Sequence, residues 1–102
     1  MHLVHIELPL PLFEWDESKR DANLRKHRID FVDAAEVFAR PIGLTGAGLT
    51  RGEERYGAVG TLGDRILTVI FTWRIGRIRL ISARSASRHE RRAYRDLRSP
   101  EA

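Results

Sequence analysis

The sequence predicts an α+β fold: a small antiparallel sheet, a meander of three to four strands plus an N-terminal strand, packed with two N-terminal helices and a C-terminal helix in the approximate order βααββββα. Three observations carry this expectation. From Tyr56 to Arg84 apolar and polar residues alternate in runs broken at Gly63-Asp64 and Ile75-Gly76, as in strands joined by tight turns. Phe31, Ala34, Ala35 and Phe38 fall at i, i+3, i+4 and i+7, the spacing of one buried helical face. Ser87 and Glu90 stand at capping-box spacing ahead of an arginine-rich stretch.

The first dozen residues alternate in polarity and reach Pro9-Leu10-Pro11, which predicts an extended arm, residues 1–12, ahead of a single domain at 13–98 and a tail at 99–102. Phe13-Glu14-Trp15 reads as a short strand. Asp16 or Ser18 then caps a polar first helix that runs to about Lys26 or His27, with Ser18 and Asp21 also at capping-box spacing. A turn at Arg28 and Ile29 leads to Asp30 as the next cap, and Arg40-Pro41 ends the second helix because proline disfavours helical geometry in the residue before it. Residues 43–52, rich in Gly and Thr, predict a strand edge or mobile loop. In the meander, Leu67, Val69, Phe71 and Trp73 share one face and Ile66, Thr68, Ile70 and Thr72 the other, so this strand is expected at the centre of the sheet. The last helix opens at Ser87 and ends near Ser99-Pro100.

At 102 residues the chain has room for one core, and its 42% apolar and 31% charged residues are those of a folded domain. It contains no cysteine, so neither disulfides nor thiolate metal sites are expected. No apolar run approaches membrane-spanning length and the start lacks the basic region of a signal peptide, which predicts a cytoplasmic protein with no membrane partner. His2 and His5 lie near a terminus and no other cluster has ligand spacing, so no metal is expected. Gly43, Gly46 and Gly48 belong to no phosphate-cradling motif, and no nucleotide cofactor is expected.

Charge is the informative quantity. The net value is +4, but Arg74 to Arg98 holds nine arginines against Glu90 and Asp96, leaving the rest of the chain slightly acidic. Arg88, Arg91, Arg92 and Arg95 share one stripe of the last helix, with Ala93 and Leu97 opposite. Such a patch suits phosphates, or an acidic protein partner. RNA cleavage without metal needs a base for the 2′-hydroxyl, cations around the phosphate and an acid for the departing 5′-oxygen. Glu53, Glu54 and Arg55, Arg79 and Arg84, and His89 and Tyr94 could serve. Each also has an ordinary reading: Glu53 and Glu54 as partners of neighbouring arginines, Tyr94 as a rim residue of the core, His89 as a helix-surface histidine, Lys26 and His27 as cations favoured at a helix end. Arg79 and Arg84 are five apart and face opposite sides of a regular strand; a bulge would be needed to bring both to one side.

Phe13-Glu14-Trp15-Asp16, Asn23-Leu24-Arg25-Lys26-His27, Phe31 through Phe38, Gly52-Glu53-Glu54-Arg55-Tyr56, and Arg79 through Arg84 with Glu90-Arg91-Arg92-Ala93-Tyr94 follow one another in an order and spacing that resembles the BrnT toxin family, from about Phe13 to Tyr94. The resemblance implies a RelE-like fold and a type II toxin–antitoxin system. It also implies an endoribonuclease that arrests translation and growth, neutralised by a BrnA antitoxin with a ribbon-helix-helix part in a hetero-oligomer that binds operator DNA. The family's recurring polar positions fall on Lys26, His27, Glu53, Glu54, Arg55, Arg79, Arg84, Glu90 and Tyr94. The first dozen residues and the glycine-rich stretch before Glu53 depart from its pattern.

The expectation for function is therefore a metal-independent ribonuclease. Arg55, Arg79 and Arg84 would hold the scissile phosphate, Glu54 or Lys26 would accept the proton, and His89 or Tyr94 would support the leaving group. Lys26, His27, Glu53, Arg88, Arg91, Arg92 and Arg95 would contact RNA. The alternative is a non-catalytic partner of a DNA-binding antitoxin acting in operon autoregulation. A DNA-binding domain in its own right is disfavoured, since no helix pair has helix-turn-helix spacing.

Overall fold

The computed structural model describes residues 1–6 and 12–99; Pro9-Leu10-Pro11 lies outside them. The elements are β1 (Val4–Ile6), β2 (Leu12–Glu14), α1 (Glu17–His27), α2 (Phe31–Ala34) running into a 3₁₀ segment (Ala35–Ala39), β3 (Ile42–Thr50), β4 (Glu53–Leu62), β5 (Arg65–Arg74), β6 (Arg77–Ser85) and α3 (Arg88–Arg98). Asp16, rather than Ser18, caps α1, accepting from the Ser18 amide at 2.8 Å and from its hydroxyl at 2.7 Å. Asp30 caps α2. Ser87 and Glu90 form the expected capping box at α3. Arg51-Gly52 and Ile75-Gly76, both pairs at positive φ, close the hairpins β3–β4 and β5–β6, since mirror-type turns match strand twist.

The sheet has six strands in the order β1-β3-β4-β5-β6-β2. The expectation of a small antiparallel sheet is corrected in two respects. It has more strands than expected, because Val4, His5 and Ile6 of the extended arm pair with Leu44, Gly43 and Ile42 as an added edge strand. It is also mixed, because β2 runs parallel to β6, Leu12 to Glu14 against Arg77 to Arg79. Three-residue strands are too short to show a period, and both pairings join segments distant in sequence. The glycine-rich stretch is a strand, β3, with a register shift between Gly46 and Gly48. β4 and β5 form the middle of the sheet.

One face of the sheet, here the front, carries Ala58, Leu67, Val69, Phe71, Ile78, Leu80 and Ala83, packed against Ile29, Phe31, Ala34, Val37 and Phe38. The back carries Val59, which clusters with Leu3, Ala86 and Tyr94 beneath α3. Hydrophobic burial thus holds α2 and α3. It cannot hold α1, whose only buried residue is Asn23 and whose leucine, Leu24, faces water. The Asn23 amide instead donates to the Ile29 and Ala83 carbonyls, each at 2.9 Å, and accepts from the Ala83 amide at 3.0 Å. Arg20 completes the attachment by gripping Asp30 at 2.7 and 3.1 Å. That ion pair holds the Asp30 carboxyl below its ordinary range, helped by the Val32 amide. Among the described residues no helix is long and apolar enough to cross a membrane.

Candidate nucleic-acid interface

The geometry of β6 decides where the arginines go. Arg79 stands opposite Thr72 and Arg84 opposite Thr68, while Phe71 faces Leu80 and Ile70 faces Ser82. Ile81 is therefore the extra residue of a bulge. One extra residue reverses the alternation, so Arg79 and Arg84, which would otherwise diverge, both lie on the back face. They remain apart along it: four residues of β5 separate their partners, about 13 Å.

Their surroundings differ as well. The Arg84 guanidinium is taken by Glu90 at 2.6 and 2.8 Å. Glu90 also accepts from the Thr68 hydroxyl at 2.9 Å and the Ser87 amide at 2.8 Å. The Arg84 pair, the amide and the hydroxyl hold the Glu90 carboxyl well below its ordinary value, at about 2, against the opposing effect of burial. The same pair makes Arg84 harder to deprotonate than usual. This network pins the start of α3 to the sheet.

Arg79 belongs to a groove of about 330 Å³, lined by Lys19, Arg51, Glu53, Arg55 and Arg74 among others. Register explains the convergence: Arg55 lies across from Gly48 on β3, and Thr50 across from Glu53, so these side chains project backward beside Arg74. Glu53 sits among the cations, 3.0 Å from Arg74 and 4.0 Å from Arg55. Arg79 is 3.6 Å from Glu14. The Nε of Arg55 is buried without a hydrogen-bond partner among the described residues. Lys19 and Ile81 also line a second depression of about 210 Å³ with Asn23, Lys26 and His27, so the two form one basic track along the seam of α1 and β6.

The structure thus gathers Lys26, His27, Glu53, Arg55 and Arg79 along this track. It does not bring the others there. Glu54 projects from the front face and accepts from the Tyr56 hydroxyl at 2.8 Å, which raises the phenol's pKa. Tyr94 is 4% exposed under α3, its hydroxyl buried and unpartnered among the described residues. His89 and Arg88 are exposed on the first turn of α3, and Arg92 and Arg95 further along it. Arg91 bonds the Ala86 carbonyl at 2.6 Å, and Arg98 lies over the Tyr94 ring. The sequence reading missed Lys19, Arg51 and Arg74. Lys19, Asn23 and Lys26 stand at i, i+4 and i+7, one helical stripe, and that spacing was the available signal. Among the described residues no group of three or more His, Cys, Asp or Glu is placed to hold a metal ion.

The sheet of this small α+β domain carries a groove of converging guanidinium groups, chemistry that suits phosphate or carboxylate groups. The family model described as the ribonuclease toxin BrnT of type II toxin–antitoxin systems matches residues 15–90, about three quarters of the chain. The chain belongs to that family of toxins, and membership implies an antitoxin partner. No protein of curated function matches it.

Proposed function

We propose that this chain is an endoribonuclease whose cleavage site is the groove between β4, β5, β6 and α1. The observation that carries the reading is that Lys19, Arg55, Arg74 and Arg79 line one groove together with the carboxylate of Glu53. The Arg55 guanidinium stands in the groove wall with its buried Nε 4.0 Å from Glu53, and phosphate oxygens of the substrate would meet its terminal nitrogens. In the reaction the 2′-hydroxyl attacks the adjacent phosphorus while Glu53 takes its proton. Arg55 and Arg79 stabilise the charge gathering on the phosphoryl oxygens. The P–O5′ bond breaks, and the 5′-oxygen takes a proton from Lys19, leaving a 2′,3′-cyclic phosphate and a 5′-hydroxyl. Glu53 replaces Glu54 as the base because Glu54 projects from the other face. Arg84 acts through Glu90 to hold α3, and His89 and Tyr94 have no part in the reaction. The cleavage needs no metal ion, and activity in a chelator checks this.

The partner in this reading is a BrnA-type antitoxin with a ribbon-helix-helix part, in a hetero-oligomer that binds operator DNA, and the protein works in the cytoplasm. Expression in a bacterial host tests the core of it. The chain should arrest growth and deplete RNA, and Arg55→Ala or Arg79→Ala should restore growth, each lowering cleavage by ~100-fold or more. Growth unimpaired by a folded, unmodified chain would overturn the reading in favour of a non-catalytic antitoxin partner acting in operon autoregulation.

A further inference from the structure

The outer edge of β3 is bare. β1 covers only Ile42 to Leu44, and among the described residues nothing pairs with the outer side of Thr45 to Thr50. Exposed edges are ordinarily guarded by charge or proline, because their unpaired amides and carbonyls are a template for another strand. Here the run from Pro41 to Thr50 holds no charged residue in a chain that is 31% charged, and Gly46 to Thr50 are all exposed. Leu49, at 69% exposure, projects to the front face at this edge, with Trp73 two strands away at 49%. Beside them lies an apolar groove of about 350 Å³ lined by Ile6, Leu44, Tyr56, Phe71 and Trp73. The same end of the sheet holds Ile75, 95% exposed and at positive φ, where a β-branched residue is disfavoured. The edge itself runs straight into Thr50 and Arg51, which line the basic groove.

We infer that an extended segment of the antitoxin adds to the free edge of β3 over Thr45 to Thr50, seats its front-facing apolar side chains by Leu49 and the neighbouring groove, and carries acidic residues past Arg51 into the arginine groove. Silencing then follows from occupancy of the phosphate site by carboxylates. Charge complementarity selects this occupant over a second copy of the chain, because a copy paired antiparallel over the same residues would bring its uncharged Pro41 to Leu44 stretch past Arg51 and leave the cations of the groove unmatched. The inference rests on the toxin reading for the identity of the partner.

The purified protein encoded by the neighbouring reading frame serves as the probe, with hydrogen exchange and binding measured on the full chain. On binding, amide exchange should slow by at least ~10-fold within residues 45–50. Leu49→Ser and Ala47→Lys, at exposed positions outside the basic groove, should each weaken binding by ~10-fold or more while leaving thermal stability and RNA cleavage as in the unmodified chain. Binding of equal strength by both variants, with no slowing at 45–50, overturns the inference. So does sedimentation of the chain alone as a dimer with those amides already slow. Failure of the free chain to cut RNA contradicts the ribonuclease reading alone, since the exchange and binding results do not depend on cleavage.

Discussion

Both terminal nitrogens of Arg84 are committed to Glu90, and the carboxylate has two further donors, which makes this pair an anchor for α3. Glu90→Gln should lower stability at pH 7 by about 1–3 kcal/mol, the range for hydrogen bonds to charged groups, discounted because Arg84 is partly in water. The carboxyl's folded pKa of about 2 lies below its ordinary 4.5. Its contribution is therefore complete above pH 4.5 and lost as pH falls toward 2. Urea unfolding across that window should show the unmodified chain converging on the variant in acid. A constant gap down to pH 2 would show that Glu90 charge is not what holds the helix. The pairing was half readable in sequence: the capping box fixed Glu90 at the start of α3, but the approach of Arg84 depends on the bulge at Ile81. Nothing local announces that bulge. The role of Asn23 is not legible in sequence, because a buried amide bonding a distant backbone has no signature beyond its type.

Among the elements, the long strands β4, β5 and β6 and all three helix starts follow from alternation, paired turns and capping residues, since these signals are local. The short outer strands do not. β1 is held partly by Leu3, 5% exposed, which lies over Gly43 so closely that a Cβ there would stand 2.6 Å from Leu3 Cδ1. Gly43→Val should therefore displace the arm, costing about 1–3 kcal/mol and speeding amide exchange at Val4 to Ile6. Unchanged exchange would mean that β1 pairing does not depend on Leu3. α1 contributes what the sequence could least show. Its polarity all round reads as a surface helix, yet its three bonds from Asn23 and the Arg20–Asp30 pair set the helix against the edge of β6 that β2 leaves uncovered. Lys19 and Lys26 reach the basic track because of that attachment.

Across the whole molecule, composition pointed to α3 as the basic surface, and the fold puts the groove elsewhere. Arginines of α3 point largely to solvent, whereas the groove draws one cation from each of α1, the β3–β4 turn, β4, β5 and β6. Arg74 and Arg79 fall within the arginine-rich stretch but Lys19, Arg51 and Arg55 do not, so charge counting along the chain could not show that these five share one groove. With roughly four phosphate contacts from that groove, RNA affinity should fall with salt at a logarithmic slope of about −3, shallower by about 0.7 for Arg79→Ala. An equal slope for both proteins would place the phosphates somewhere else. The most direct measurement compares single-turnover cleavage of end-labelled RNA by the purified chain, by Arg79→Ala and by an Arg92→Ala, Arg95→Ala double variant of α3. Cleavage leaving 2′,3′-cyclic phosphate ends, slowed by ~100-fold or more in Arg79→Ala and by less than ~3-fold in the α3 variant, is the expected result. Full activity in Arg79→Ala, with loss in the α3 variant, would contradict a site on the sheet and move the chemistry to the helix.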